Sequence, residues 1–422
     1  ALLLDAGLVA AGAYLDLGNT DAAGAILKGL PLKALQESAP LGQLQTLAAL
    51  ALMARLEGDL SAAEAHLLDR LELARTHYPM PLYLADIHLA LADSYQAAGQ
   101  HDALLAHARQ ARTLAEETGD IDTLMESYRY LAASYFRNGD TDAAVQLALA
   151  AAPIIDQARD VASKAYFLQF SAMSLNLRGH FSPARDYTTA LRALGETSAD
   201  PMYGAIADFT VMHRLYVQGA FTEAYRLASS TRSRLESSAG LHAAVPAALA
   251  FEAIAASRGA SLDTAGSLIR LLETRYPDDM SLPAPILRAR GHVALRNKQF
   301  TRGLQFLREA EAAYRQAGMR AVGNYVGYEI IESRLAGEAE PPWDDIQRLS
   351  ALTDFDYPLA RLQAQAHAKE SNYLGATAAL EEARLRGNDL WSDRDQLILE
   401  EYRSVLAMAD VPNSLGSGPD GT

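Results

Sequence analysis

The feature that most constrains this chain is the spacing of its glycines. Gly18, Gly58, Gly99, Gly139, Gly179, Gly219 and Gly259 follow one another at intervals of 40, 41, 40, 40, 40 and 40 residues. A fixed period of this length marks stacked repeats, each a supersecondary unit that must bury its apolar face against a neighbour. Each glycine separates two amphipathic stretches. That placement suits a helix C′ residue, where left-handed backbone geometry costs glycine nothing. Three residues past the glycines stand Asp21, Ser61, Asp102, Asp142, Ser182 and Thr222, all types whose side-chain oxygen accepts from free helical amides, so these are predicted N-caps. Ser61 and Glu64 read as a capping box, and Pro183 falls where a first helical residue is expected. At Gly259 the cap position holds Leu262 with Asp263 one residue late, which predicts a one-residue adjustment of that turn.

The period then decays without stopping. Asn297-Lys298-Gln299-Phe300-Thr301 replaces a glycine turn and keeps a threonine for the cap, Gly337 lies 78 residues past Gly259, and Ser371-Asn372-Tyr373 reads as a last turn. No strand pattern occurs. The expectation is an all-α chain of about ten helical hairpins across residues 1–410, closed by a helix from Trp391 to Met408. Residues 411–422, with Pro412, Asn413 and the Gly/Ser-rich run from Ser414, read as a flexible tail or linker. Abundant Ala and Leu with few β-branched or aromatic residues agree with helix throughout.

Charge and composition narrow the function. Against 52 Asp and Glu the chain has 37 Lys and Arg, a formal charge of −15. It has no basic run to override that field, so direct nucleic-acid binding is not expected. Cysteine is absent, which excludes disulfides, thiolate metal sites and a cysteine nucleophile and agrees with a reducing, cytoplasmic setting. No stretch reaches the ~20 apolar residues of a membrane span; the most apolar one, Ala243 to Ala256, contains Pro246 and Glu252. The opening Ala1-Leu2-Leu3-Leu4 already reads as helix and follows no initiator methionine, as in a segment of a longer protein.

No catalytic, metal or cofactor arrangement stands out. There is neither a G-x-x-x-x-G-K-[ST] phosphate loop nor an H-E-x-x-H pair. Gly416, Gly418 and Gly421 match a dinucleotide fingerprint in letters only, since no strand precedes them and no helix follows. His101 and His107 are expected on different, solvated faces of one helix, and Glu116-Glu117 and Glu381-Glu382 as solvent-facing charges.

The residue types inside each unit carry a family resemblance. In Leu131-Ala132-Ala133-Ser134-Tyr135-Phe136-Arg137-Asn138-Gly139-Asp140-Thr141-Asp142-Ala143-Ala144, a small residue follows leucine, tyrosine precedes glycine by four, and alanine follows it by five. Tyr14 with Gly18 and Ala23, Tyr95 with Gly99, Phe181 with Ala184, Phe221 with Ala224, and Tyr373 with Ala376 repeat parts of the pattern. This resembles the tetratricopeptide signature, in which small residues let paired helices approach and aromatics fill the gap between hairpins. The usual tetratricopeptide period is about 34 residues. A period near 40 is similar to the helical sensor region of the maltotriose-responsive activator and its LuxR-type relatives among bacterial signal-transduction regulators. The resemblance implies a right-handed α-solenoid without catalytic activity that senses a ligand or partner in its concave groove, either a protein or peptide segment or a small-molecule inducer. A peptide-docking or scaffolding protein is the alternative; an accessory region of a kinase or nucleotide cyclase is a third.

In such stacks the first helix of each pair lines the groove. Carried onto this sequence, that places Glu126, Arg129, Phe136 and Arg137 there, then Tyr166, Gln169, Met173 and Asn176, then Phe209, His213 and Tyr216, and finally Arg288, His292 and Arg296. Aromatics beside amides and guanidinium groups suit a sugar, a peptide or a partner segment. Tyr166, Phe209 and Tyr216 serve equally well as packing between repeats, and Arg129, Arg288 and Arg296 as solvated charges. With Asp86 and Asp93 at the same inner positions, the groove is expected to be acidic toward the N-terminus and more basic near residues 288–296.

Overall fold

The computed structural model describes residues 7, 10–11, 20–29, 40–198, 200–238, 241–353 and 357–409. Among them there is no strand. The α-helices are α1 (Thr20–Lys28), α2 (Pro40–Glu57), α3 (Leu60–His77), α4 (Pro81–Ala98), α5 (His101–Thr118), α6 (Ile121–Asn138), α7 (Thr141–Ala151), α8 (Val161–Leu177), α9 (Phe181–Ser198) and α10 (Pro201–Val217). They continue with α11 (Phe221–Ser237), α12 (Val245–Gly259), α13 (Leu262–Arg275), α14 (Pro283–Arg296), α15 (Phe300–Gln316), α16 (Arg320–Gly337), α17 (Trp343–Ser350), α18 (Tyr357–Lys369), α19 (Tyr373–Arg386) and α20 (Asp393–Ala409). The chain forms an all-α helical-repeat solenoid. It divides into two compact units, one of Ala1–Ser134 with Leu147–Phe167 and one of Tyr135–Gln146 with Leu168–Thr422. No helix among the described residues is long and apolar enough to cross a membrane.

The glycine period has the physical basis expected of it at five turns. Gly58, Gly99, Gly139, Gly179 and Gly219 adopt φ between 70° and 82°. In each case the next residue's N–H returns to the carbonyl five residues back, as in Gln100 to Tyr95 (2.9 Å) and His180 to Leu175 (2.8 Å), the closing bond of a Schellman turn. Gly18, Tyr14 and the 411–422 tail lie outside the described residues. Gly119 adds a further left-handed cap, at the end of α5.

The expected caps shift by two residues. Because the Schellman turn reverses the chain so quickly, the residue after the glycine already serves as N-cap, and the next helix starts two past the glycine. Asp59, not Ser61, accepts from the Ala62 amide (2.9 Å), and Asp140 from Ala143 (3.2 Å). Ser61, Asp102, Asp142, Ser182 and Thr222 are therefore second helical residues and Pro183 a third. Glu64 accepts from the Tyr95 hydroxyl (2.9 Å) instead of closing a capping box.

Gly259 and Gly337 keep the phase for a different reason. Both are final residues of helices, α12 and α16, with no left-handed φ. A Cβ on Gly259 would lie 2.5 Å from the Phe221 backbone, and one on Gly337 would lie 2.2 Å from the Phe300 ring. Gly259 thus lets the backbone that opens α11, and Gly337 the Phe300 ring that opens α15, pack against the end of the neighbouring helix. The turn after Gly259 is capped by Ser261, which accepts from Thr264 N (3.1 Å), and not by a delayed Asp263. Where glycine is missing, Lys298 (φ 61°) and Ser371 (φ 60°) take the left-handed position themselves. Gln299, not Thr301, precedes α15, and Asn372 caps α19 through Gly375 N (3.0 Å).

Burial follows the repeat. The residues five past the glycines, Ala63, Leu104, Ala144, Ala184 and Ala224, are each at most 2% exposed, and four of the five are alanines small enough to bring backbones together. In the second unit, the chain returns upon itself. Asp389 N donates to Gly179 O (3.0 Å), and Asp389 Oδ2 accepts from Phe181 N (3.1 Å), across 208 residues of sequence. A Cβ on Gly179 would lie 2.6 Å from Gly387 O, so the closure needs glycine for space as well as for φ.

Candidate functional site

The closure of the second unit leaves a cavity of about 280 Å³. The C-terminal ends of α8, α10 and α12 supply Arg178 (just past α8), Tyr216 and Arg258; α16 supplies Asn324, Tyr325, Tyr328, Glu329 and Glu332; and α18 supplies Tyr357, Arg361 and Gln365. Phe221, Gln218 and Thr353 also line it. All of these residues belong to the second unit. Gly323 and Gly327 let α16 lie deep among its neighbours: a Cβ on either would come within 3.1 Å of Arg315 or Leu349 side-chain carbons.

Glu329 organises the floor. Its Oε2 accepts from Arg288 Nε (2.9 Å), and its Oε1 from Arg288 Nη2 (2.8 Å), Arg258 Nη1 (3.2 Å) and the Tyr216 hydroxyl (2.7 Å). His292 Nε2 lies 3.1 Å from Oε2 without hydrogen-bond alignment. Burial by itself would raise the Glu329 carboxyl, but Arg288 and His292 outweigh it and hold the group well below the usual carboxylate range. Burial pushes Tyr325 up to about 12, with the Glu329 charge adding to it, and it lowers His292 despite the neighbouring carboxylate. Arg258 stacks over the Phe221 ring at 4.0 Å and Arg288 over Tyr216 at 4.9 Å, geometries in which a desolvated guanidinium gains cation–π attraction.

The groove residues expected from the sequence fall into separate groups. Tyr216, Arg288 and His292 meet at Glu329, but only Tyr216 also lines the cavity. Arg296, exposed, donates to the carbonyls of Ser257 (3.0 Å) and Ala260 (2.8 Å). The basic surface expected at 288–296 is thus spent on an internal carboxylate and on helix-end carbonyls. Phe136 is buried and packs edge-on against the His213 ring with centroids 6.3 Å apart; burial lowers His213 to about 4. Asn176 is buried and donates to Thr210 O (3.3 Å). Arg137, Gln169, Met173 and Phe209 are half-buried. Tyr166 is 43% exposed. In the first unit, Glu126 pairs with Arg129 (3.4 Å), whose guanidinium sits 3.9 Å over Tyr130; Asp93 is bound by Arg55. His107 is not solvated: its Nδ1 lies 2.7 Å from His88 Nδ1, and Tyr95 stacks on it.

Sequence reasoning missed most of the cavity wall: about half of it lies on α16 and α18, past the point where the glycine period fades, and Arg178 and Arg258 stand at helix ends outside the groove positions. The available signal was Gly323-Asn-Tyr-Val-Gly327-Tyr-Glu, two glycines one turn apart inside a helix, which mark a helix closely surrounded by others.

Comparison with known proteins agrees with the architecture. A Rap protein in complex with competence and sporulation factor superposes with a TM-score of 0.51 at 12% identity, covering 83% of this chain and 99% of that one. The likeness is one of fold, an all-α helical repeat. The Cut9-Hcn1 heterotetramer of the APC/C (TM-score 0.42, 10% identity, 95% and 83% coverage) and the P58(IPK) TPR domain (0.29, 13%, 97% and 99%) also match. No family model matches the sequence, and no curated protein matches it.

Proposed function

We propose that this chain is a non-catalytic recognition domain that receives an extended segment of a protein or peptide partner in the cavity of its second unit. The observation that carries the reading is the make-up of the wall, where the rings of Tyr216, Phe221, Tyr325 and Tyr328 stand with the side-chain amides of Gln218, Asn324 and Gln365. Rings cover apolar side chains, while amides can both donate to and accept from an extended backbone. A binding role without catalysis agrees with the perturbed ionisable groups: Glu329, the most shifted carboxylate there, is already saturated by Arg288, Arg258 and Tyr216. The Rap protein, of like fold, is found in complex with a factor, which adds support. A small-molecule inducer acting on a regulator by selecting one curvature of the stack is the second reading, favoured by the modest cavity volume of about 280 Å³.

A thermal-shift screen of peptide pools, sugars and nucleotides tests both, since a compound that binds only the folded form raises Tm. Peptides are expected to raise Tm of the native chain and to lose the effect in Gln365→Trp, which fills the cavity. A response to sugars or nucleotides alone would replace the peptide reading with the inducer reading. A peptide effect untouched by Gln365→Trp would move binding away from the cavity.

A further inference from the structure

We infer that the segment this cavity receives is anionic, a proposal that rests on the cavity being the recognition site. Three guanidinium groups from three different parts of the fold line it: Arg178, Arg258 and Arg361. Two of them have counter-ions of an unusual kind. Arg178, 12% exposed, pairs at 2.7 Å with Asp142, which is 60% exposed. Arg258, 19% exposed, pairs at 3.1 Å with Glu332, which is 57% exposed. In both pairs the cation is mostly buried, Arg258 being held by Glu329 as well (3.2 Å), and the second carboxylate reaches in from solvent.

This asymmetry decides which sign of charge the site can accept. A mostly exposed carboxylate gains little from its ion pair and gives little up on swinging back into water. A fixed, partly desolvated guanidinium is already positioned for a charge-assisted bond, so an incoming carboxylate can take the place of Asp142 or Glu332 without unfolding anything. A cationic ligand would have to draw those carboxylates off the two guanidinium groups and give up both ion pairs, whereas an anionic one exchanges one carboxylate for another. Arg361 differs, because its partner Asp395 (2.9 Å) is 1% exposed and also accepts from the Tyr357 hydroxyl and Ser392. That carboxylate is buried and cannot swing out into water. Glu329 is likewise committed to Arg288, so the replaceable negative charges are Asp142 and Glu332.

The test uses three fluorescein-labelled octapeptide pools that share randomised neutral positions and carry four fixed Glu, four fixed Gln or four fixed Lys, with anisotropy read on the full chain. The chain's net charge of −15 makes non-specific attraction favour the lysine pool, so a preference for glutamate has to come from the site. The glutamate pool is expected to bind tightest. Asp142→Asn with Glu332→Gln, which removes the competing carboxylates, is expected to tighten it about tenfold, the size of one charge-assisted bond; a misfolded variant cannot produce a gain. Glutamine or lysine peptides binding as well as glutamate peptides, with binding still abolished by Gln365→Trp, would overturn the anionic preference and leave the cavity reading intact. Binding by no pool, or binding indifferent to Gln365→Trp, would remove the cavity reading and this inference together.

Discussion

Arg288 and Glu329 face each other as a fork-to-fork pair, Nε to Oε2 at 2.9 Å and Nη2 to Oε1 at 2.8 Å, with both side chains under 10% exposed. The pair joins α14 to α16, and through Arg258 and Tyr216 the same carboxylate also holds α12 and α10. Removing one member of such a pair leaves the other as an uncompensated buried charge. Glu329→Gln is therefore expected to destabilise the protein by about 3–5 kcal/mol, measured by urea denaturation near pH 7. A loss below about 1 kcal/mol, the range of a surface pair, would show that the carboxylate does not organise these helices.

The two kinds of glycine lead to a graded prediction. Gly219 has φ 77° with nothing within 4 Å of its missing Cβ, whereas Gly179 (φ 74°) has Gly387 O at 2.6 Å. Gly219→Ala is expected to cost about 1–2 kcal/mol, the backbone preference alone. Gly179→Ala adds a clash that must part the Gly179–Asp389 contact, so its cost exceeds that of Gly219→Ala. Lys298, at φ 61°, gives the converse: Lys298→Gly should raise stability by up to about 1 kcal/mol. Chemical denaturation of the three variants checks the order, and equal losses for the two alanine variants would contradict it.

Caps give a third test. Asp59 accepts from Ala62 N, whereas Ser61 is already inside α3. Asp59→Ala is expected to cost about 1 kcal/mol and Ser61→Ala less than about 0.5 kcal/mol. The reverse order in thermal melts would restore the cap position suggested by residue type.

These cases show what the sequence could and could not convey. The repeat was legible because one backbone requirement, a left-handed residue at the end of a helix, recurs with little competition for its letter. The cap positions were misread because Asp59 and Ser61 are equally good cap types, and only the tightness of the Schellman turn selects between them. Gly259 and Gly337 fall in phase, yet their reason is the close approach of a neighbouring helix start, which a single position cannot reveal. The site was far less legible. Tyr216, Arg288 and His292 were singled out as a groove, and they do converge, but on Glu329, a residue 37 positions beyond His292 on a helix outside the clear period. Long-range pairing of that kind leaves no local periodic trace.

The His88–His107 pair carries the last prediction. With Nδ1 atoms 2.7 Å apart, one ring must donate and the other accept, so the folded state holds one proton between them and resists a second. Burial comes first in lowering both groups; the neighbouring ring and Arg75 add to it for His88, which falls to about 4, and Arg75 adds to it for His107, where the charge of Glu64 pulls the other way. Below pH 6.5 the unfolded chain binds protons that the folded pair refuses. Stability is thus complete above pH 6.5 and declines toward pH 4, by at most about 1.4 kcal/mol per pH unit for each proton excluded. Glu329 acts separately, because its depressed carboxyl loses stability only below about pH 4.5, where the unfolded residue begins to protonate. His107→Gln keeps a hydrogen-bonding partner for His88 and removes the second titrating ring. Melting curves between pH 7.5 and 5 should therefore fall less steeply for His107→Gln than for the native chain, and parallel curves would place the acid sensitivity elsewhere.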